Sequence, residues 1–144
     1  MMLCEGSAES WDSWSGISKS IVDQLRADGH TVHVGDVDLY GAARWAAAAA
    51  ALSRDRRRWT SRYHLGAVPF RLRSRSARRH VDAHRGRLDA IVQVGATFQT
   101  PNSAGIPCYL CCDSNIRMAQ HGASSGFSDA AALSDTDLNS IATR

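Results

Sequence analysis

The chain has 144 residues, of which 44% are hydrophobic and 22% charged, with a formal net charge of +3. That length bounds it to one globular domain able to bury a core, and no apolar run approaches the ~20 residues of a membrane-spanning helix. The start lacks a basic segment followed by an apolar stretch, so no secretory leader is expected and a cytoplasmic location is the default reading.

Met1 to Cys4 is long enough only for a clipped first strand, read here as a shortened strand that weakens its sheet. A small-residue loop, Trp14-Ser15-Gly16, then opens a helix in which Ile17, Ile21, Val22 and Leu25 share one face and Lys19, Asp23, Gln24 and Arg26 the other. Ser15 can cap its start, and Gly29 can take the left-handed conformation at its end. An alternating strand over 31–37 follows, which completes the first half of a βαβ unit. Such a unit carries a potential anion site at its first loop: without a Cβ, Gly16 lets backbone amides at the helix start approach a negative group. A plain tight turn is the alternative.

After a turn at 38–41, the alanine-rich stretch 42–51 predicts a helix anchored by Trp45 and Leu52. Arg54 to Arg58 reads as a solvated charge run, with Trp59 and Tyr63 one helical turn apart. Pro69 interrupts this region or starts a new piece, and 74–87 resumes a helix. The best strand is 88–95, apolar and β-branched and ending at Gly95. A loop over 96–103 and a short strand over 106–112 follow, with Pro107 at its start where a missing amide is tolerated. A small polar stretch at 122–126 and a capped helix reaching Ile141 end the chain. This order indicates an α/β fold with a Rossmann-like open, mostly parallel sheet flanked by helices.

The four cysteines read as reduced, mostly buried thiols, because Cys108, Cys111 and Cys112 crowd one apolar segment far from Cys4. On a strand Cys108 and Cys112 share a face and Cys111 takes the other, so no metal site is expected. The charge is uneven: Arg54 to Arg87 holds twelve arginines and two acids, a net of +10, and the remainder carries −7. Such a block steers anionic partners toward one region of the surface.

Ligands in open α/β sheets gather at the carboxyl ends of strands, which nominates two groups of residues. Thr97, Gln99 and Asn102 follow the strongest strand, with turn chemistry around Pro101 as the alternative. Asp113 and Asn115 follow the next one and could orient a hydroxyl or simply cap a helix. His121 lies in the loop beyond. No Ser-His-Asp order and no carboxylate pair suited to glycoside hydrolysis stands out.

Trp14-Ser15-Gly16 with its helix, Asp28-Gly29-His30-Thr31-Val32, the strand Asp89 to Gly95 and the series Ile106 to Asp113 together resemble the amino-terminal half of a family 4 glycosyltransferase, a retaining enzyme of the two-domain GT-B fold. The resemblance covers nearly the whole chain. It implies an acceptor-binding domain whose Ser15–Gly16 loop approaches the diphosphate of a nucleotide-sugar co-substrate. A cleft wall of Thr97, Gln99, Asn102 and Asn115 and chemical roles for Asp113 and His121 are implied with it. The family's second Rossmann domain, which holds the donor, has no counterpart in these residues, so a donor domain elsewhere or on a separate chain is implied. No metal or other cofactor is expected. The resemblance further implies a sugar or lipid-linked acceptor and an anionic membrane face met through Arg54 to Arg87, peripheral at the inner membrane. Nucleic acid is the less expected anionic partner, and a non-catalytic binding module with a basic surface is the alternative function.

Overall fold

The computed structural model describes residues 1–101 and 105–112. The backbone forms two compact units: Met1–Asp38 with Arg73–Cys112, and a second that includes Leu39–Leu72.

In the first unit, strands β1 (Met2–Cys4), β2 (Val34–Asp36), β3 (Ile91–Val94) and β4 (Cys108–Cys111) make one sheet in the order β2-β1-β3-β4. Every pairing is parallel, with Met2 level with both Val34 and Val92. Strand alternation then sorts the side chains into two layers. On one face Met2, Cys4 and Val94 pack with Val22 of α1 (Ile17–Ala27). On the other, Leu3, Val37 and Ile91 pack with Ala77 and Val81 of α4 (Ala67–Ala83) and with Phe98. The architecture is α/β and Rossmann-like: an open parallel sheet with a helix on each face.

The clipped first strand is the centre of this sheet. All three of its residues are fully buried, and it pairs on both sides, so it supplies core to both layers despite its length. The opposite holds for β4, the outer strand, where all four residues are exposed. This corrects the reading of the cysteines. All four are free thiols as expected, but only Cys4 is buried, while Cys108, Cys111 and Cys112 are exposed on or beside an edge strand that pairs with β3 alone among the described residues.

In the second unit, α2 (Gly41–Ala50) and α3 (Arg56–Leu65) form a helical hairpin. Asp55 caps α3 by accepting the Arg57 amide at 2.9 Å, the role its position just ahead of the arginine run allows. The Trp59 indole N–H donates to the Ala48 carbonyl at 3.0 Å and ties the two helices together. Gly66 separates α3 from α4, since a Cβ there would stand 2.3 Å from the Arg62 carbonyl oxygen. Pro69 therefore starts a helix rather than interrupting one; in the first turn its missing amide costs nothing. That helix begins well before residue 74, and Arg73, Ala77 and Val81, spaced four apart, form its buried stripe.

Candidate ligand crevice at the carboxyl ends of β1 and β3

The strand order reverses between β1 and β3: the chain leaves β1 toward β2 on one side and later returns to β3 on the other. In open α/β sheets this switch point opens a crevice beyond the strand ends, where ligands bind. Here the crevice is framed by residues that directly follow each strand.

Glu5 follows β1. Its carboxylate accepts a hydrogen bond from the Thr97 hydroxyl and pairs with the Arg73 guanidinium at 3.1 Å. The Arg73 side chain is 0% exposed and that of Glu5 17%, so a buried cation holds a carboxylate whose edge still meets solvent. Asp36 ends β2 and accepts the amides of Gly6 at 2.9 Å and Asp38 at 2.8 Å, which fastens the β1–α1 loop to the neighbouring strand. Gln93 is buried within β3. Its amide donates to the carbonyls of Gly95 and Phe98, each at 2.8 Å, and its side-chain oxygen accepts the Thr100 hydroxyl at 2.6 Å and amide at 3.2 Å. With every donor and acceptor used, Gln93 clamps the loop that carries Thr97 and Gln99.

The β1–α1 loop lies across the strand ends. Gly16 adopts φ +78° at the start of α1, and a Cβ on it would fall 2.6 Å from the Trp11 ring. Gly95 adopts φ +88°, and a Cβ there would fall 2.4 Å from the Trp14 ring. Trp14 itself has φ +49°, a conformation rarely taken by a bulky side chain. Two indoles therefore rest against two glycines that flank the crevice. The absent Cβ at Gly16 makes room for Trp11, a reason the sequence did not disclose. On its ring Trp11 also carries the Lys19 ammonium, 5.2 Å from the centroid.

Below the crevice, Cys4 is fully buried and its thiol donates to the Gly6 carbonyl at 3.2 Å. Burial pushes its pKa up to about 11, helped by the nearby charges of Asp36 and Glu5 and opposed by a hydrogen bond with Ser18. This thiol is a core group, not a nucleophile.

Of the residues nominated from sequence, the structure brings Thr97 onto Glu5. Ser15 and Gly16 lie in the 3-10 turn Ser13–Gly16 that leads into α1. Gln99 is exposed, and its amide donates to the Ser74 hydroxyl on α4 at 2.9 Å. Asn102, Asp113, Asn115 and His121 lie outside the described residues. Sequence reasoning missed Glu5, Arg73 and Gln93. The only available signal for Glu5 was a polar residue directly after a candidate strand.

A separate cavity of about 400 Å³ lies at the amino ends of the same strands, lined by His30, His33, Arg87, Asp89 and Tyr109 among others. His33 also meets His84 in a tilted ring contact, with centroids 4.5 Å apart. Its pKa is lowered by desolvation and by the neighbouring His84 and Arg87. No group of three or more metal-ligating side chains is present among the described residues. No helix among them is long and apolar enough to cross a membrane.

Comparison with protein-family models, with curated proteins and with solved structures returns no match.

Proposed function

We propose that this chain is the acceptor-binding half of a retaining glycosyltransferase, which moves a sugar from a nucleotide-sugar donor to a sugar or lipid-linked acceptor. The observation that carries this reading is Glu5: a partly exposed carboxylate at the switch point, oriented by Arg73 and Thr97. A carboxylate fixed in this way accepts hydrogen bonds from hydroxyl groups, and polyhydroxylated ligands offer many. The Arg73 guanidinium beside Glu5 cancels much of the field of its carboxylate, so a diphosphate arriving above the crevice meets less repulsion. The helix start at Gly16 adds its dipole on the same side.

In this reading Glu5 and Thr97 hold the acceptor, Gln93 keeps their loop in place, and the leaving diphosphate is stabilised chiefly by a donor domain on this polypeptide or another. Asp113, Asn115 and His121 keep the roles that the resemblance implies. Within the basic stretch Arg73 alone among the arginines is buried, on the same helix stripe as Ala77 and Val81. The other arginines, among them the exposed Arg54, Arg56, Arg57, Arg71, Arg75 and Arg78, are left to meet an anionic bilayer at the inner membrane face.

Binding of UDP-sugars, GDP-sugars and a panel of acceptor mono- and disaccharides is the test, measured by ligand-observed NMR on the chain and on Glu5→Gln. The substitution keeps the size of the side chain and removes its charge. Saccharide binding weakened about tenfold in a folded Glu5→Gln supports the reading. A folded chain that binds neither nucleotide sugars nor saccharides overturns it and favours the binding module with a basic surface.

A further inference from the structure

The hairpin of the second unit encloses a groove of about 610 Å³, unrelated to the crevice. Gly41, Arg44, Trp45 and Ala48 line it from α2, and Arg56, Trp59, Thr60 and Tyr63 from α3. Both sets follow the same spacing of three, one and three residues, so each is a single stripe facing the groove. In an ordinary helix pair such stripes would be aliphatic and in contact. Here they carry three aromatic rings and two guanidinium groups.

Three of these groups, Trp45, Arg44 and Arg56, are unspent among the described residues. Trp45 is 77% exposed and makes no ring contact among the described residues. The guanidinium groups of Arg44 and Arg56 form no hydrogen bond or ion pair among those residues. Trp59 uses its N–H on the Ala48 carbonyl, which fixes the orientation of the ring. The Thr60 hydroxyl is already given to the Arg56 carbonyl at 3.0 Å.

The groove thus offers aromatic faces and two cationic forks, with few groups to satisfy hydroxyls. That composition disfavours a neutral saccharide, whose many hydroxyls would go unpaired. The length of the stripes is also informative: eight residues of helix span roughly 10 Å, too short to seat a partner helix but enough for a small molecule. A planar ring stacks on indole faces whatever its pattern of donors and acceptors, and guanidinium groups match phosphate oxygens in pairs.

From this juxtaposition we propose that the α2–α3 groove is a binding site for a mononucleotide, with its base against Trp45 and Trp59 and its phosphate between Arg44 and Arg56. The site does not depend on the glycosyltransferase reading.

The experiment is calorimetric titration of the full chain with AMP, adenosine and ribose 5-phosphate. The same titrations are made on Trp45→Ala and on Arg44→Gln/Arg56→Gln, whose exposed positions leave circular dichroism and melting unchanged. AMP is expected to bind, with adenosine and ribose 5-phosphate each at least tenfold weaker and both variants at least tenfold weaker for AMP. AMP affinity in Glu5→Gln is expected to equal that of the original chain. Absence of AMP binding overturns the proposal, and so does equal binding of ribose 5-phosphate, which would mark a plain anion patch. Loss of AMP binding in Glu5→Gln but not in the groove variants would assign the nucleotide to the crevice and overturn it too. Binding of anionic phosphatidylserine vesicles without AMP binding would make the hairpin a surface-docking element instead.

Discussion

At the carboxyl ends of β1 and β3, Arg73 is buried against Glu5, and Trp11 and Trp14 rest on glycines; on the α2–α3 hairpin, Arg44, Arg56 and Trp45 stand exposed without such partners. The same two residue types serve opposite ends. In the first region Arg73 is buried in its ion pair and Trp14 is half-buried against Gly95, so their loss should appear as loss of fold. In the second their bonding capacity is unused, so their loss should leave the fold intact and change only what binds. A count of arginines or tryptophans along the sequence cannot make this distinction.

The sharpest way to break the comparison is Arg73→Met. Removing one partner of a buried ion pair leaves the other uncompensated, a cost of about 3–5 kcal/mol. Urea unfolding should show that loss, and adding Glu5→Gln should recover part of it. An Arg73→Met chain as stable as the original would place Arg73 with the unspent arginines of the hairpin.

Gln93→Leu should come next, at about 2–4 kcal/mol, because the carbonyls of Gly95 and Phe98 and the Thr100 amide would lose their buried partner. Gly95→Ala should cost about 2–3 kcal/mol, the sum of a left-handed backbone and a Cβ inside the Trp14 ring. Shrinking the indole with Trp14→Ala should relieve the second component but not the first. Full additivity of the two substitutions in denaturant melts would separate Trp14 from Gly95.

Alkaline pH gives a smaller effect. The Cys4 thiol ionises at about 11 in the folded chain against 9.0 when unperturbed, so the stabilisation is complete below pH 9. It falls as pH rises from 9 toward 11, because the unfolded chain loses its proton first; about 2 kcal/mol is at stake. Cys4→Ala should flatten that slope. In the same pH range, titration with a thiol reagent should find three fast cysteines and a fourth that reacts only on unfolding. The smallest effect belongs to His33. Its lowered pKa means that the unfolded chain takes up a proton first as pH falls through 6.5, so stability declines there. His33→Gln should remove that decline.

Much of the scaffold was legible in the sequence. The stripe of Ile17, Ile21, Val22 and Leu25 gave α1 to its last turn, and the β-branched run ending at Gly95 gave β3. The short strand β1 read as a weakness because length alone was visible; its central place depends on pairing with β2 and β3, which are remote in sequence. Pro69 was ambiguous because a proline ends one helix and begins another with equal ease. At the crevice, Thr97 was reachable from its place after a strong strand, whereas Glu5 and Arg73 lie 68 residues apart and meet only through the fold. Gln93 was hidden by its own strand, where alternation predicts an apolar residue.

The exposed edge strand β4 also has a consequence for handling the protein in solution. Among the described residues the outer edge of β4 is unpaired; such an edge is a template for a second chain, and this one carries Tyr109 and Leu110 on opposite faces. It also carries thiols at Cys108 and Cys111, with Cys112 next to it. Edge-to-edge association of two molecules would bring these thiols together, and air oxidation would then lock a transient encounter into a covalent one. Concentrated samples kept without reductant should accumulate dimers and larger species that dithiothreitol dissolves, and serine at Cys108, Cys111 and Cys112 should keep the chain monomeric.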